Sequence, residues 1–392
     1  MKYNFDEIID RRNTNSLKYD FAAERGKPEG VIPLWVADMD FKTAPCVTDA
    51  LVKSAEHAIF GYSEVKKDGD YFQAVRNWFT ERFDFEVKSE WLVKAPGVVY
   101  ALCAAINAFT KAGDSVMIQT QVYYPFKQSI EVNGRITVTN SISYKNDKYY
   151  IDFDDFEAKI VENNVKLFVL CSPHNPVGRV WTKDELVKMG DICLKYNVLV
   201  LSDEIHCDFI YKGHTHIVFG AINERFLNNS IICTSPSKTF NLAGLQLSNI
   251  FISDNILRRK FKKEIEKTGY SQHNTMGIVS CQVAYESGGE WVDELVKYLE
   301  NNYTYAKEFI AANLPEIRLA ELEGTYLLWL DLNAYDFSEV EIDRVITEKA
   351  RLWVSNGVTF GSEGKGFIRI NIACPLETLK TAFNRLAEAL RM

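Results

Sequence analysis

The strongest constraint on the fold is an alternation of short apolar runs with amphipathic stretches through the middle of the chain. The apolar runs predict strands at 115–119, 167–171, 198–202, 230–234 and 249–252. The amphipathic stretches predict helices at 97–110, 183–196 and 254–267. This alternation predicts an α/β fold with a mostly parallel sheet and helices on both faces. Such sheets bind ligands beyond the carboxyl ends of their strands.

The C-terminal part of the chain has a different pattern. A long helix is predicted over 291–313, followed by a strand (324–332), a helix (339–350), a glycine-rich turn (357–366), a strand (367–372) and a last helix (377–391). A chain of 392 residues is too long for one ordinary core. We therefore expect a large domain at 46–285 and a smaller α+β domain formed by 1–45 and 286–392.

Charge and composition narrow the classes of partner. The formal net charge is -8 and no long basic block occurs, so nucleic acid is not an expected partner. The N-terminus lacks the apolar core of a signal peptide, and the most apolar stretch, 98–109, is too short for a membrane span. The eight cysteines are scattered without a Cys-x-x-Cys pair, which favours reduced thiols over disulfides or a zinc site. We expect a cytoplasmic protein that binds no metal.

Three polar motifs directly follow predicted strands. They are Ser-Pro-His-Asn-Pro-Val-Gly (172–178), Ser-Asp-Glu-Ile-His (202–206) and Ser-Pro-Ser-Lys-Thr (235–239). They supply an amide at Asn175, a carboxylate at Asp203 and an amine flanked by hydroxyls at Lys238. A pyridoxal phosphate (PLP) enzyme needs this set: the carboxylate keeps the pyridine nitrogen protonated, the amide bonds the ring hydroxyl, the lysine forms the Schiff base, and hydroxyls hold the phosphate.

Each of these residues also has an ordinary structural explanation when it is taken alone. Taken alone, Lys238 is consistent with a solvated charge on the surface, Asp203 with the cap of a helix, and Asn175 with an Asn-Pro turn. Their joint occurrence in this order, each beyond a predicted strand, favours the cofactor site over three unrelated explanations.

Further candidates lie at a turn, after a strand and on a strand. The turn Ala-Pro-Gly-Val-Val (95–99) opens a predicted helix, and free N–H groups at a helix N-terminus bind phosphate. Tyr123 and Tyr124 follow a strand and are either core residues or a stacking surface for a pyridine ring. Arg369 alternates with apolar residues and is either solvated or a bidentate clamp on an α-carboxylate.

With these residues in view, the chain resembles fold-type I PLP enzymes of the class I/II aminotransferase superfamily, and within it the MalY/PatB group of cystathionine β-lyases. Nearly the whole chain carries the resemblance, through the strings Val-Ala-Asp-Met-Asp-Phe (36–41), Phe-Gly-Tyr (60–62), Val-Tyr-Tyr-Pro-Phe (122–126), Ser-Pro-His-Asn-Pro-Val-Gly-Arg-Val-Trp (172–181), Asp-Glu-Ile-His (203–206), Ser-Lys-Thr-Phe-Asn-Leu-Ala-Gly (237–244), Glu-Gly-Thr-Tyr-Leu (323–327) and Arg-Ile-Asn-Ile-Ala-Cys-Pro (369–375). The first and the Asp-Glu-Ile-His strings are fairly specific to this group. The resemblance implies the aspartate aminotransferase-like fold.

The resemblance also implies roles for individual residues. Those that would contact PLP are Lys238 as Schiff-base lysine and proton shuttle, Asp203 at the pyridinium nitrogen, Asn175 and His206 at the ring hydroxyl, Tyr123 and Ile205 on the two ring faces, and Val98, Val99, Ser235 and Ser237 at the phosphate. Tyr62 would reach the phosphate of a neighbouring subunit, which implies a homodimer with its active site at the subunit interface. Those that would bind the substrate are Arg369, the backbone at Ala37, Tyr124 and Asn175.

The implied activity is β-elimination of a sulfur leaving group from an L-amino acid such as cystathionine, cysteine or an S-conjugate. Two alternatives stay open: an aminotransferase, which shares every residue named above, and a regulatory protein that binds a protein partner. The sequence also departs from relatives at Gln246, where many aminotransferases carry a phosphate-binding arginine, at Tyr100, where a proline is common, and at Tyr19, where tryptophan is frequent.

Overall fold

The computed structural model describes residues 2–391. Its strands are β1 (Ile32–Pro33), β2 (Leu92–Ala95), β3 (Ser115–Thr120), β4 (Ile136–Ser141), β5 (Ser143–Lys145), β6 (Lys148–Tyr150), β7 (Leu167–Cys171), β8 (Leu199–Asp203), β9 (Ser230–Thr234), β10 (Ser248–Phe251), β11 (Arg318–Leu319), β12 (Leu327–Asp331), β13 (Leu352–Trp353), β14 (Ser355–Asn356) and β15 (Phe367–Asn371). Its helices are α1 (Pro45–His57), α2 (Asp70–Phe83), α3 (Val98–Phe109), α4 (Pro125–Val132), α5 (Phe153–Glu162), α6 (Lys183–Lys195), α7 (Glu224–Asn228), α8 (Pro236–Thr239), α9 (Asn255–Lys267), α10 (Thr275–Ser287), α11 (Gly289–Asn313), α12 (Glu339–Asp343) and α13 (Leu376–Leu390).

The main sheet has the strand order β2-β10-β9-β8-β7-β3-β4. Only β10 runs antiparallel to its neighbours, and the other adjacent pairs are parallel. Every residue of β3, β7, β8 and β9 is buried, as expected for strands that are covered by helices on both faces. The predicted α/β fold with a mostly parallel sheet is confirmed, and the sequence pattern did not reveal the reversed direction of β10.

A second, antiparallel sheet has the order β11-β12-β15-β14. The N-terminal segment is tied to this part of the chain, because β1 pairs in parallel with β13. Phe5 adds to the attachment, with its ring 5.7 Å from the ring of Trp291 and 5.5 Å from that of Tyr298 on α11. The domain bounds 46–285, 1–45 and 286–392 stay a prediction.

The structure contains helices that the sequence pattern did not predict, notably α1, α2 and α10. The predicted helix over 339–350 is split into α12 and a π-helical turn at Arg344–Lys349. Among residues 2–391, no helix has both the length and the apolar character that crossing a membrane requires.

A buried ion pair connects the loop after β7 to the segment before β12. The Arg179 Nε donates to Glu323 Oε2 at 2.9 Å, and the Val180 N–H donates to the same oxygen at 2.8 Å. Burial alone would raise the pKa of Glu323, but the hydrogen bond from Lys148 and the charge of Arg179 lower it below its ordinary value. The carboxylate is therefore ionised and is needed to balance a buried guanidinium.

We expect Glu323→Ala to lower the free energy of unfolding by about 3–5 kcal/mol, because it leaves the buried Arg179 with an incomplete set of partners. Urea unfolding followed by circular dichroism measures this change. Glu321→Ala is the matched control, since Glu321 is half exposed and pairs with the same Lys148 at 3.6 Å; its cost should stay below about 1 kcal/mol. Equal costs for the two variants would contradict the assignment.

Candidate active site

A cavity of about 210 Å³ lies at the carboxyl ends of the central parallel strands. Its wall contains the last residues of β7 and β8, the residue after β9, and the first turn of α3. The sequence-predicted site residues that line it are Ala37, Val98, Val99, Tyr123, Asn175, Asp203, Ile205, His206, Ser235, Ser237 and Lys238. Parallel strands bring these residues together because their carboxyl ends meet at one edge of the sheet.

Lys238 is held on α8, a short helix that starts directly after β9. The side chain of Ser235 caps this helix by accepting the Ser237 N–H at 3.1 Å. Lys238 Nζ donates to the carbonyl oxygen of Ala37 at 2.7 Å. The amine therefore crosses the cavity to a segment that lies about two hundred residues earlier in the chain.

Burial lowers the pKa of Lys238 from its ordinary value to about 8. The charge of Asp38 opposes this shift, the charge of Arg369 adds to it, and the charge of Asp203 opposes it again. A lysine with a pKa near 8 has a substantial neutral fraction at physiological pH, so its amine can act as a nucleophile or as a base.

The carbonyl of Ala37 belongs to a tightly held segment, residues 36–41. Tyr326 donates its hydroxyl to the Ala37 oxygen at 2.9 Å, beside the lysine. Asn371 donates its amide to the carbonyl oxygens of Val36 and Asp38, each at 2.6 Å. Sequence reasoning did not single out Tyr326 or Asn371, although both lie in strings that carried the resemblance. No local pattern identifies them, because their contacts are with a segment that is distant in sequence.

Two charged side chains from the N-terminal segment, Arg11 and Lys18, form ion pairs with the segment 36–41. Arg11 donates to both carboxylate oxygens of Asp38, at 3.2 and 2.7 Å, and also to Asp40 at 2.7 Å. The fully buried Lys18 donates to Asp40 at 2.9 Å. These paired charges hold the backbone that receives Lys238.

Asp203 is a buried carboxylate without a cationic partner. Its Oδ1 accepts the Ile205 N–H at 3.1 Å. It forms no ion pair within 4.0 Å in the part of the chain that the structure describes. Burial raises its pKa to about 7. A cationic N–H placed against this oxygen would restore the ordinary charge balance, and a protonated pyridine ring supplies such a group.

Arg369 reaches the site from β15 of the second sheet. Its Nη1 donates to Asn175 Oδ1 at 2.9 Å, and its Nη2 donates to the Trp35 carbonyl at 2.6 Å. The guanidinium lies 4.7 Å from the ring centroid of Phe360. Its buried Nε has no hydrogen-bond partner within residues 2–391. Burial lowers the pKa of Arg369 to about 10. Its guanidinium is a buried cation with a free donor at Nε, and it has no carboxylate partner within residues 2–391.

The part of the cavity wall formed by the first turn of α3 is suited to a phosphate group. The first N–H groups of α3 have no acceptors within the helix, and Val98 and Val99 line the cavity there. The Ser235 hydroxyl donates its one proton to the Leu247 carbonyl at 2.7 Å, so the hydroxyl would have to turn from this carbonyl to donate to a phosphate. Gln246 also lines the cavity, so neutral donors stand where many aminotransferases place an arginine.

Two aromatic rings complete the wall. His206 is buried with no partner for Nδ1 among the described residues, and burial together with Lys238 and Arg369 holds its pKa well below the ordinary value. Tyr123 lines the cavity, and burial, with the neighbouring Tyr124, raises its pKa to about 12. Both rings are therefore neutral at physiological pH.

Three of the predicted residues do not line the cavity: Tyr62, Tyr124 and Arg369, the last of which reaches the cavity wall through its hydrogen bond to Asn175. Tyr62 is 95% exposed and lies outside it in a single chain. Tyr124 is partly exposed, with its ring 6.4 Å from that of Phe360, and it does not line the cavity. Their roles stay predictions. Cys171 and Tyr100 line the cavity although sequence reasoning assigned them no contact there.

The residues present fit PLP. Residues 2–391 contain no group of three or more His, Cys, Asp or Glu side chains placed to hold a metal ion. The unpaired carboxylate of Asp203, the amine of Lys238 and the free N-terminus of α3 match a pyridinium nitrogen, an aldehyde and a phosphate, respectively.

Comparisons with known proteins agree with this geometry. The sequence profile of the family described as aminotransferase class I and II matches residues 29–386. The cystathionine β-lyase PatB of Bacillus subtilis is 40% identical over 99% of this chain and 100% of its own length. The crystal structure of cystalysin from Treponema denticola, which contains a pyridoxal 5′-phosphate cofactor, has a TM-score of 0.96 at 38% identity and covers 100% of this chain and 99% of its own. The PLP-bound C-S lyase from Staphylococcus hominis has a TM-score of 0.93 at 34% identity and covers 100% and 99%.

These comparisons confirm the resemblance to the class I/II aminotransferase superfamily and its MalY/PatB group that the sequence motifs indicated. The match to the profile spans most of the chain, and the relatives align over nearly their whole lengths. The chain therefore belongs to the class I and II aminotransferase family.

Proposed function

We propose that this chain is a PLP-dependent carbon–sulfur β-lyase that releases pyruvate, ammonia and a thiol from L-cystathionine, L-cysteine or an S-conjugate. The observation that carries the proposal is a lysine amine, 2.7 Å from the Ala37 carbonyl, in the same cavity as the unpaired carboxylate of Asp203. The buried Arg369, which has a free Nε donor, is bonded to Asn175 in the wall of that cavity. The relatives that cover the whole chain support it, since PatB is a cystathionine β-lyase and the Staphylococcus hominis protein is a C-S lyase.

In this proposal the cavity residues hold PLP by its separate functional groups. Asp203 would hold the ring nitrogen, and Asn175 with His206 the ring hydroxyl. The side chains of Tyr123 and Ile205 would cover the ring faces. The backbone N–H groups of Val98 and Val99, together with Ser235 and Ser237, would hold the phosphate. Bound PLP supplies an electron sink for the bonding electrons at the substrate Cα.

The protein's own residues orient the substrate and move a proton. Arg369 would bind the substrate carboxylate through Nε and the N–H group of Nη1 that its contacts with Asn175, Trp35 and Ser355 leave free. The neutral Lys238 amine would then take the proton from Cα, and the Cβ–S bond breaks as the thiolate leaves. The Ala37 carbonyl accepts an N–H from Lys238 and so limits where the amine can lie.

The test is release of pyruvate from L-cystathionine by the PLP-loaded protein without any added keto acid. Steady pyruvate with an equal amount of homocysteine is the expected result. A transaminase would instead convert its cofactor to the pyridoxamine form and stop until a keto acid is added. That outcome would replace the lyase with an aminotransferase, which the same site residues also permit.

We also propose that the protein works as a homodimer in which Tyr62 of one chain reaches the phosphate site of the other. Support comes from one exposed apolar segment, in which Ile59, Phe60 and Tyr62 are 69%, 63% and 95% exposed. Apolar side chains grouped this way mark contact surfaces. Sedimentation at micromolar concentration distinguishes a dimer from a monomer.

A cytoplasmic location is part of the same proposal. All eight cysteines are free thiols, and six of them are buried. Reduced thiols of this kind are typical of a reducing compartment. Subcellular fractionation would test the location.

The raised pKa of Asp203 predicts a pH-dependent effect of Asp203→Asn on the cofactor-free protein. A carboxylate whose pKa is higher folded than unfolded stabilises the fold fully below the unfolded value, near 4, and this stabilisation is lost as pH rises to about 7. At pH 8 the cofactor-free variant should therefore be more stable than wild type, by up to about 4 kcal/mol, since one pKa unit is worth about 1.4 kcal/mol.

Urea unfolding at pH 4, 6 and 8 measures this dependence. With PLP bound the order should reverse, because Asp203→Asn removes the partner of the ring nitrogen. A stability difference that is the same at every pH would exclude the titration of Asp203 as its cause.

A further inference from the structure

A second cavity, of about 400 Å³, lies between β2, α9 and the segment before α2. The cavity is lined by one carboxylate, Glu90, and by six cationic side chains. The cationic residues are Lys66, Lys67, Lys94, Arg258, Arg259 and Lys262. We call this cavity the basic pocket. The protein as a whole has a net charge of -8, so the clustering of cations here is local and does not reflect the composition.

Most of these cations have no partner in the described part of the chain. Arg258 donates to the carbonyl oxygens of Ile252 and Ser253, both at 2.8 Å. The side-chain nitrogens of the other five make no hydrogen bond and no ion pair within 4.0 Å among residues 2–391. Five unpaired cations around one concavity form a site of positive potential that attracts anions.

The cations also repel one another. Burial lowers the pKa of Lys94, the charge of Lys262 lowers it further, and the charge of Glu64 opposes the shift. Burial likewise lowers the pKa of Lys262; the charges of Arg258 and Lys67 add to that shift and the charge of Glu266 opposes it. The repulsion is relieved when an anion occupies the space between these side chains.

We propose that the basic pocket binds an oligophosphate anion, either a free phosphate chain or the phosphates of a nucleotide. The pocket has the size of a small-molecule site. Cations on β2, on α9 and in the segment before α2 surround it, which suits an extended ligand with several negative charges better than a single carboxylate. Lysine and arginine are the side chains that most often bind phosphate groups in proteins.

The pocket is separate from the active-site cavity, because the two share no lining residue. Binding is therefore measured on the PLP-loaded protein, in which the phosphate end of the active site is filled. The probe is sodium tripolyphosphate, titrated calorimetrically at constant ionic strength. Saturable binding at one site per chain is the expected result for wild type.

Two double variants on the same helix locate the site. Arg259→Ala with Lys262→Ala removes two cations that line the pocket, and we expect Kd to rise at least about tenfold. Lys260→Ala with Lys263→Ala removes the same charge from α9 at exposed positions outside the pocket, and Kd should stay within about twofold. The lyase activity of both variants should equal that of wild type.

Titration with ATP distinguishes the two sources of the ligand. Tighter binding of ATP than of tripolyphosphate means that the nucleoside is also recognised, and equal binding means that only the phosphates are. Absence of saturable binding to wild type overturns the proposal, as does an equal loss of affinity in both double variants. The proposal is also wrong if wild type does not bind tripolyphosphate and the Arg259→Ala, Lys262→Ala protein sediments differently from wild type. In that case the basic pocket is a contact between chains.

Discussion

Lys238→Ala should reduce turnover of L-cystathionine by at least about a thousandfold, the scale on which a positioned base contributes. The amine that the structure places against the Ala37 carbonyl is the one base in the proposed mechanism for the Cα proton. The variant should still retain PLP, because the carboxylate of Asp203 and the N-terminus of α3 are unchanged. Steady-state pyruvate release measures turnover, and absorbance after desalting measures the retained cofactor.

Lys238→Arg separates the positive charge from the proton transfer. Arginine keeps a cation in the cavity, but its pKa is too high for it to act as a base or to form the Schiff base. We expect this variant to be as inactive as Lys238→Ala, and borohydride reduction should fix PLP covalently to wild type and to neither variant. Near-normal turnover in either variant would remove Lys238 from the reaction.

Arg369→Ala should lower kcat/KM by a factor of roughly 30 to 5,000, which corresponds to about 2–5 kcal/mol for truncation of a buried charged pair. The loss should lie mainly in KM, because the proposed role of Arg369 is to hold the substrate carboxylate while Lys238 and PLP do the chemistry. Initial rates over a range of L-cystathionine concentrations separate the two constants.

Arg318→Ala is the matched control for Arg369. Arg318 lies on β11 of the same sheet, half exposed and paired with Asp147, whereas Arg369 is buried and bonded to Asn175 in the cavity wall. Its replacement should leave kcat/KM within about twofold of wild type. The role of Arg369 is contradicted if its variant keeps kcat/KM, or if PLP is lost together with activity, which would mean that the arginine supports the fold of the cavity instead.

Both of these residues were proposed from the sequence because of the motifs they share the chain with and the family resemblance, and each also has a local signal. Lys238 follows an apolar run, and Arg369 interrupts an apolar strand pattern. The bounds of β7 and β9 agree with the apolar runs, because strands buried on both faces need continuous apolar residues. Asp203 and Lys238 could be placed near each other because parallel strands end at one edge of the sheet.

Other elements had no comparable signal. The helix α10 packs against both α1 and α2. Its buried face contains three small residues, Gly277, Ser280 and Ala284, beside Cys281 and Tyr285, so the strongly apolar stripe by which an amphipathic helix is recognised is weak there. The direction of β10 was also hidden, since an apolar run has the same composition in either orientation.

The sequence by itself determined the class of fold, the family and the group of residues at the strand ends. The reason is that apolar alternation, motif strings and chain order are read directly from the sequence. Only the tertiary structure decided which atoms meet: the Ala37 carbonyl with Lys238, Tyr326 with the same oxygen, and Arg369 with Asn175. It also placed the cations of the basic pocket together from separate parts of the chain. These contacts depend on how distant segments pack, and no local pattern encodes that packing.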